Sequence, residues 1–252
     1  MISAVLVTLN EAVHLKSCLA GIKNNVDEII VVDLGSRDES INIAKSYQAK
    51  VFNHQRVDYV ELVRNFAISK ATGEWVLLLD PDERVSESLW DKLEEVAKEN
   101  KYSAVNIPRK NIFFGKWIKH TNWWPDRHIR FFKKYNIKWS DKIHSYPKVT
   151  GQVLNLKASE EYALTHFGYD SIKQFIEKQN RYSFIEAQNR YDNHERFTFK
   201  QFLWGPTREF LVRYIKHLGF MDGFLGFALT FLLMVYQMMV MIKLWELEKK
   251  TK

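Results

Sequence analysis

Segment 74–83, Glu-Trp-Val-Leu-Leu-Leu-Asp-Pro-Asp-Glu, joins a short apolar run to an abrupt acidic end. Residues 76–79 have the length and apolar character of a buried strand in a parallel sheet. Because Pro81 cannot continue a central strand, Asp80 and Asp82 are expected at the carboxyl end of that strand, where α/β sheets bind their ligands. This segment therefore predicts both a central strand and a candidate site.

Asp80 and Asp82 are two residues apart, so their carboxylates can lean toward one point if the backbone is extended. Like charges at such a distance repel unless a cation lies between them. A hard divalent cation, which takes oxygen ligands and keeps positions open for substrate phosphates, would satisfy both. The alternative is a solvated acidic turn that leads into the next helix, with Ser86 as its N-cap.

The preceding part of the chain alternates between strand-like and helix-like patterns. Apolar runs at 3–9, 28–32 and 50–53 predict three further strands, and apolar residues at helical spacing between the runs predict helices. Gly73 is expected at the C′ position of the helix before the fourth strand. Four strands alternating with helices indicate an α/β fold with a mostly parallel sheet and right-handed crossovers.

Polar side chains follow the predicted strands, at the point where each strand ends. They are Thr8, Asn10 and Glu11, then Asp33, then Asp80 and Asp82. A fold that had only to be stable would not need carboxylates along one edge of its sheet, so this pattern predicts a ligand site. The chain has no G-x-G-x-x-G and no G-x-x-x-x-G-K-[ST] motif, which disfavours dinucleotide-binding proteins and phosphate-loop NTPases.

Composition narrows the class of partner. The net charge of +7 favours an anionic partner, which leaves nucleic acid, anionic lipid headgroups or a phosphorylated substrate. We expect no nucleic acid, because the basic and aromatic residues of 195–217 form no recognised RNA-binding motif. The single cysteine, Cys18, excludes a disulfide framework.

Taken together, these segments resemble the family 2 glycosyltransferases of the GT-A fold. The matching pieces are residues 7–11 (Val-Thr-Leu-Asn-Glu), 29–33 (Ile-Ile-Val-Val-Asp) with Gly35, Ser36 and Asp38, Arg64-Asn65, Gly73-Glu74, and 79–83 (Leu-Asp-Pro-Asp-Glu). The resemblance implies a Rossmann-like GT-A catalytic domain over residues 1–165. It also implies an inverting transfer of a sugar, such as a hexose, from a nucleotide diphosphate sugar, with UDP as the expected nucleotide.

The resemblance assigns roles to the polar residues. Those expected around the nucleotide are Thr8, Asn10, Glu11, Asp33, Arg64 and Asp80. Asp33 would lie near the base, expected to be uracil. Asp82, together with Asp80, would hold Mg²⁺ or Mn²⁺, which neutralises the charge that builds on the leaving diphosphate. Arg64 could equally be a surface residue on a solvated helix face.

A block of aromatic and basic residues follows between 112 and 132. Tryptophan faces can stack on pyranose rings, so the block favours a sugar platform over a core with a charged rim. Its form W-P-D-x-x-x-R-F-F resembles a segment of the bacterial glycosyltransferases that build the lipopolysaccharide core. The resemblance implies a lipid-linked glycan acceptor in contact with Trp123, Trp124, Arg127 and Arg130.

Two carboxylates are candidates for the general base. An inverting transfer needs a carboxylate to take the proton of the acceptor hydroxyl. The lipopolysaccharide-core group shows a His-Glu pair where this chain has His144-Ser145, so that glutamate is absent. Asp126 and Asp141 are the nearest alternatives, and His144 is a candidate third metal ligand. Alternatively, Asp141 is a turn residue and His144 a packed histidine.

Residues 166–252 are expected to form a helical C-terminal region. Residues 195–217 are amphipathic, basic and aromatic, which suits an anionic membrane surface. Residues 223–242 carry no formal charge, and as a helix they would cover roughly 30 Å. We therefore expect association with a membrane, at the cytoplasmic face of a bacterial inner membrane. A span, a surface-lying helix and an oligomer interface all remain open, and His166 could reach the site or merely pack.

Two other functions fit the same residues. One is an enzyme that loads a sugar onto polyprenol phosphate, which is also a family 2 activity. The other is a non-catalytic, membrane-anchored carbohydrate-binding protein. Its site would still bind sugar, but Ser145 would stand in place of the glutamate that acts as the base.

Overall fold

The structure, a computed structural model, describes residues 1–57, 59–139 and 146–250. It divides into two compact units. Unit 1 comprises Met1–Lys110 and Asp126–His166, and unit 2 comprises Asn111–Pro125 and Phe167–Lys252. The division of the chain into a domain of residues 1–165 and a region of residues 166–252 stays a prediction.

Unit 1 is an α/β unit. Its helices are α1 (Ala12–Ile22), α2 (Ser40–Ser46), α3 (Glu61–Ser69) and α4 (Glu87–Glu99). The strands of the described chain are β1 (Ile2–Thr8), β2 (Glu28–Asp33), β3 (Lys50–Asn53), β4 (Trp75–Leu79), β5 (Glu83–Arg84), β6 (Ala104–Phe113), β7 (Lys116–Trp117), β8 (Asp126–Lys133), β9 (Ile137–Lys138), β10 (Lys148–Val149), β11 (Val153–Asn155) and β12 (Leu164–Tyr169). All of them except β7 lie wholly or partly in unit 1. Strands β6 and β12 each continue from unit 1 into unit 2.

The first four strands form a parallel block in the order β3-β2-β1-β4. Thr8 pairs with Asp33, and Asp33 pairs with Asn53, so the carboxyl ends of these strands are level. Strand β8 pairs antiparallel with both β4 and β6. The short connection from β6 to β8 contains no crossover helix, which explains why that pair is antiparallel. The predicted fold class is confirmed.

The parallel strands are buried on both faces, as their continuous apolar sequences predict. Leu77 and Leu79 of β4 pack on the side of α1 and α4, whereas Val76 and Leu78 pack on the side of α3. Alternate residues of one strand thus supply two cores, and the sheet lies between two layers of helices. Ser86 caps α4, since its hydroxyl accepts a hydrogen bond from the Leu89 N–H at 3.2 Å.

The prediction for Gly73 is wrong. Helix α3 ends at Ser69, and Lys70 is its C-cap residue. Gly73 instead lies against the start of β1, where an added Cβ would be 2.6 Å from Ser3 Oγ and 2.8 Å from the Met1 carbonyl oxygen. Close backbone approach, rather than helix termination, requires glycine here.

Glu28, at the amino end of β2, holds this close approach together. Its Oε1 accepts hydrogen bonds from Ser3 Oγ at 2.5 Å and from Thr72 N and Oγ1 at 2.5 and 2.8 Å, and its Oε2 lies 3.0 Å from Lys50 Nζ. Burial opposes ionisation of Glu28, but these donors outweigh it and lower the pKa to about 2.

Glu28→Gln is expected to lower the free energy of unfolding at pH 7 by about 2–3 kcal/mol. Because the folded pKa is depressed, the stabilisation is present above the unfolded pKa near 4.5 and is lost as the pH falls toward 2. Urea unfolding of both proteins from pH 7 to 3 should therefore show two curves that converge in acid. The exposed Glu74→Gln is the matched control, and a constant difference across this pH range would refute the prediction.

Unit 2 is mainly helical in its described residues. Its helices are α5 (Ile172–Asp192), α6 (Phe199–Phe210), a π-helical turn (Leu211–Lys216), a 3₁₀ turn (Gly219–Asp222) and α7 (Gly223–Lys250). One apolar cluster contains Phe113, Ile118, Tyr169, Phe175, Leu229 and Leu233, and a second contains Ala187, Val240, Met241 and Leu244. By length and composition alone, the helical stretch Gly219–Lys250 could cross a membrane.

Candidate active site

Thr8 and Asp33 end neighbouring parallel strands, and both are almost fully buried. Asp33 Oδ2 accepts hydrogen bonds from the N–H groups of Gly35 and Ser36 at 2.9 and 3.0 Å. Its other oxygen, Oδ1, and the Thr8 hydroxyl have no hydrogen-bond partner among the described residues. Buried polar atoms are normally paired, so these two mark a place where a ligand can donate and accept hydrogen bonds.

Asn10 and Glu11 fix the loop that follows β1. Asn10 adopts a left-handed backbone with φ of 56°, and its side-chain oxygen accepts a hydrogen bond from Arg37 N at 2.7 Å. The Asn10 N–H donates to Ser36 Oγ at 2.9 Å, and the Glu11 N–H donates to Ser40 Oγ at 2.9 Å. The loops after β1 and β2 therefore support each other, while direct contact of Asn10 and Glu11 with a nucleotide stays a prediction.

Arg130 lies beneath the acidic loop after β4. Only 2% of Arg130 is exposed, and its guanidinium donates to Asp80 Oδ2 and, at 2.8 Å, to Glu83 Oε1. The Asp80 N–H donates to Glu83 Oε2 at 2.9 Å, and Arg64 lies 3.8 Å from Asp80 Oδ1. Burial opposes ionisation of Asp80, but Arg130 and Arg64 hold the pKa of its carboxyl well below the usual range.

The backbone of the same loop is held by Arg84. Its guanidinium donates to the carbonyl oxygens of Pro81 at 2.7 Å, Glu83 at 2.8 Å and His14 at 2.9 Å. His14 belongs to α1, so Arg84 ties the loop to a helix packed on the sheet. The loop is thereby fixed before any ligand arrives, which is what a charged binding site requires.

His166 lies beside Asp82. Its Nε2 is 3.4 Å from Asp82 Oδ2, because β12 pairs antiparallel with β5 and places His166 opposite Glu83. Asp82 thus faces an imidazole, whereas the Asp80 carboxylate faces two arginines. Among the described residues, no three His, Cys, Asp or Glu side chains are close enough together to hold a metal ion by themselves. Metal binding by Asp80 and Asp82 stays a prediction.

Arg64 and Asn65 both contact Trp139. Asn65 Nδ2 donates to the Trp139 carbonyl oxygen at 2.9 Å, and Trp139 N donates to Asn65 Oδ1 at 3.0 Å. The Arg64 guanidinium lies 5.7 Å from the centre of the indole ring. With 12% of its side chain exposed, Arg64 is not the solvated surface residue that the sequence left open. Its cation instead faces the acidic loop.

Asp126 is paired on both of its carboxylate oxygens. Oδ2 accepts from Arg109 Nε at 2.9 Å and Nη2 at 2.6 Å, and Oδ1 lies 2.9 Å from His128 Nε2. Burial and the charge of Arg109 lower the pKa of His128 to about 4, so this imidazole is neutral near pH 7. Arg127, on the same strand, donates to the Leu156 carbonyl oxygen at 2.6 Å.

The remaining predicted site residues lie in unit 2 or beyond the described part of the chain. Trp123 packs edge-on against Phe113 at 4.9 Å between ring centres, and Trp124 packs edge-on against Trp117 at 5.2 Å. Asp141 and His144 fall outside the described residues. The acceptor roles of Trp123, Trp124, Arg127 and Arg130 and the catalytic roles of Asp126 and Asp141 stay predictions.

Comparison with known proteins identifies the family. The sequence model of glycosyl transferase family 2 matches residues 3–151, which is more than half of the chain. The chain belongs to glycosyl transferase family 2. An uncharacterized glycosyltransferase of Rickettsia typhi is 28% identical to it over 265 residues, which cover 100% of this chain and 89% of that protein.

Two further similarities extend along nearly the whole of this glycosyltransferase. The lipopolysaccharide core biosynthesis glycosyltransferase LpsC of Rhizobium meliloti is 24% identical over 252 residues, 97% of this chain and 92% of that protein. The crystal structure of residues 1–349 of TarS from S. aureus covers 100% of this chain and 92% of its own, with 14% identity and a TM-score of 0.50. At that identity the likeness to TarS shows the fold alone.

The sequence patterns gave no role to Glu83 or Arg109 and left open whether His166 reaches the site or merely packs; the structure places His166 beside Asp82. Glu83 was visible as a third carboxylate of the acidic run, but nothing in the sequence showed that it points inward. Arg109 and His166 lie 26 and 83 residues beyond it along the chain, and strand pairing brings them near the loop. Such long-range pairing leaves no local pattern in one sequence.

Proposed function

We propose that this glycosyltransferase moves a hexose from a UDP-sugar to a hydroxyl group of a lipid-linked glycan, such as a lipopolysaccharide core, with inversion. The observation that carries the proposal is the pair of buried, unpaired polar atoms at the ends of β1 and β2. Asp33 Oδ1 could accept the N–H of a uracil, and the Thr8 hydroxyl could donate to one of its carbonyl oxygens. Strand ends of this kind are where open α/β sheets bind nucleotides.

Arg64 and the acidic loop supply charges suited to a sugar diphosphate. The Arg64 cation could bind a phosphate, and Asp82 and His166 would hold a divalent ion between them. An imidazole beside a carboxylate favours Mn²⁺ over Mg²⁺, since Mg²⁺ prefers oxygen ligands alone. When bound, the ion neutralises the negative charge on the departing diphosphate. Arg130 keeps Asp80 ionised and in place beside this site.

The contacts of Asp126 bear on the choice between the two candidate bases. A carboxylate held by a guanidinium is a weak proton acceptor, and Asp126 accepts two hydrogen bonds from Arg109. We therefore expect Asp126→Asn to lower the stability of the protein more than its kcat. Asp141→Asn is expected to lower kcat by roughly two or more orders of magnitude. Single-turnover rates and melting temperatures of both variants test the assignment, and a hundredfold loss of kcat in Asp126→Asn with an unchanged melting temperature would reverse it.

The acceptor is inferred from similarity and from the membrane-associating character of the C-terminal region. LpsC carries the description of a lipopolysaccharide core enzyme and is similar to this chain over nearly its full length. An acceptor in the inner membrane would be reached from the cytoplasmic face, where nucleotide sugars are made. Trp123 and Trp124 would provide apolar ring faces for its sugars, and Arg127 a cation for its phosphates.

An assay of nucleoside diphosphate release with a panel of UDP-, GDP- and dTDP-sugars, with and without Mn²⁺, tests this function. We expect UDP release that depends on metal and rises when a lipopolysaccharide-core acceptor is added. Polyprenol phosphate is the parallel acceptor, and stimulation by that lipid alone would assign the enzyme to polyprenol-phosphate loading instead. Turnover of a GDP- or dTDP-sugar in preference to every UDP-sugar would contradict the proposed donor.

A further inference from the structure

Helix α7 has two different apolar faces. Gly226, Leu229, Leu233, Val240 and Leu244 form a buried stripe. The opposite side carries a second stripe of exposed residues along the length of the helix, which contains Phe224, Phe227, Phe231, Ile242 and Trp245. Within this exposed stripe, Phe224 has the largest exposed fraction, 83%. Residues on one face of an α-helix are separated by three or four positions, or by seven or eleven, and these are the separations between successive members of both sets.

In the C-terminal half of α7 the buried stripe packs with Ala187 of helix α5, through Val240 and Leu244, and polar contacts accompany this packing. Lys243 Nζ donates to the Asn180 carbonyl oxygen and to Ser183 Oγ, both at 2.7 Å. Tyr236 donates its hydroxyl hydrogen to Glu186, which is also paired with Arg190. Arg190 reaches the sulfur of Met241 at 3.7 Å.

This packing is incompatible with α7 crossing a bilayer. If residues 223–242 filled the hydrocarbon core, Tyr236 would lie about 5 Å from its centre. The Glu186 carboxylate and the Arg190 guanidinium, which contact Tyr236 and Met241, would then be held inside the membrane. Each buried charge costs several kcal/mol, whereas the exposed stripe of α7 needs contact with lipid on one side only.

Helix α6 and the turn after it add a second exposed apolar surface with cations in it. Phe199, Leu203, Trp204, Leu211 and Ile215 are all more than 40% exposed. The exposed Lys200, Arg208 and Lys216 alternate with them along the sequence. Phe227 of α7 packs against Phe210 and Tyr214, so this surface adjoins the exposed stripe of α7. Aromatic residues flanked by lysine and arginine suit an interface bearing anionic lipid.

We propose that unit 2 binds an anionic phospholipid surface with α7 lying in the plane of the interface, not across the membrane. The exposed stripe of α7 and the apolar residues of α6 enter the region between headgroups and acyl chains. Lys200, Arg208 and Lys216 contact lipid phosphates. This inference depends on unit 2 alone, so its failure would leave the donor and the metal of the proposed function untouched.

Vesicle co-sedimentation of the full chain tests the surface. Wild type is expected to bind vesicles of phosphatidylcholine and phosphatidylglycerol (7:3) more tightly than pure phosphatidylcholine. Phe224→Ser combined with Phe231→Ser should weaken binding at least tenfold, and Lys200→Gln or Lys216→Gln should each weaken binding to the anionic vesicles roughly fivefold. Tyr135→Ser is the matched control, since Tyr135 is an aromatic residue of unit 1 that is 88% exposed.

Unchanged vesicle binding by the folded Phe224/Phe231 variant would overturn the proposal. So would a protein that ignores vesicles and forms a dimer lost in that variant, because a second copy of the chain would then cover the stripe. Circular dichroism melting of each variant shows whether it is folded.

Labelling of introduced cysteines separates an in-plane helix from a span. The single native cysteine, Cys18, is only 1% exposed and should give little background. His194→Cys and Lys249→Cys place one exposed thiol on each side of the uncharged stretch, outside the proposed lipid-binding surface. In sealed inside-out vesicles from expressing cells, a membrane-impermeant maleimide should label both positions equally. Labelling of one position only, with the other reached after detergent, would show a span and overturn the proposal.

Discussion

Asp82→Ala is expected to lower metal-dependent turnover of the UDP-sugar roughly a thousandfold, with little change in stability. Asp82 is the carboxylate of the acidic loop that faces His166, at 3.4 Å, while the Asp80 carboxylate faces Arg130 and Arg64. Removing Asp82 therefore removes a ligand of the proposed ion and leaves the contacts of Asp80 with Arg130 and Arg64 in place. The measurement is UDP release at saturating UDP-sugar across a range of Mn²⁺ concentrations.

His166→Ala and Asp91→Ala complete the experiment with Asp82→Ala. His166→Ala should raise the Mn²⁺ concentration needed for half-maximal turnover, with part of the rate recovered at high Mn²⁺. Asp91→Ala makes the same change as Asp82→Ala on the exposed side of α4 and should leave turnover unchanged. Wild-type turnover in Asp82→Ala would contradict the metal assignment.

Arg130→Met is expected to lower the free energy of unfolding by about 3–5 kcal/mol at pH 7. The substitution keeps most of the side-chain volume but removes the buried cation that Asp80 shares with the fully buried carboxylate of Glu83. The loss should shrink as the pH falls from 7 to 5, because protonation of either carboxyl relieves the uncompensated charge. Urea unfolding at several pH values measures it.

Arg127→Met is the matched control for Arg130→Met. Arg127 lies on the same strand and donates one hydrogen bond, to the Leu156 carbonyl oxygen, so its loss should cost about 1 kcal/mol. An equal loss of unfolding free energy in the two variants would show that Arg130 does not neutralise the carboxylates of the acidic loop. A loss in Arg130→Met that does not change with pH would show the same.

Much of unit 1 could be predicted because its sequence patterns are local. The four parallel strands occur where short apolar runs were found, and α1 covers Ala12–Ile22 as the spacing of Leu15, Leu19 and Ile22 requires. The prediction for Gly73 failed for a reason that sequence does not show. Its neighbours in space, Met1 and Ser3, lie about 70 residues away along the chain, so close packing could not be told from helix termination.

The candidate site was predictable to the extent that it lies at strand ends. An apolar run ends at or just before each of Thr8, Asp33, Asp80 and Asp82. Because the parallel strands end at the same level, these residues lie along one edge of the sheet. The burial of Arg130 could not be predicted, since a basic residue between Ile129 and Phe131 is equally compatible with a surface position. His166 reaches Asp82 only through the pairing of β12 with β5.

The central claim is that the ends of β1 and β2 recognise uracil, and calorimetric titration with UDP and CDP in the presence of Mn²⁺ tests it most directly. CDP carries the same diphosphate but lacks the N–H that Asp33 Oδ1 would accept. The wild-type protein is expected to bind UDP at least tenfold more tightly than CDP, and Asp33→Asn should remove most of that difference. Equal affinity of the wild-type protein for UDP and CDP would contradict the claim.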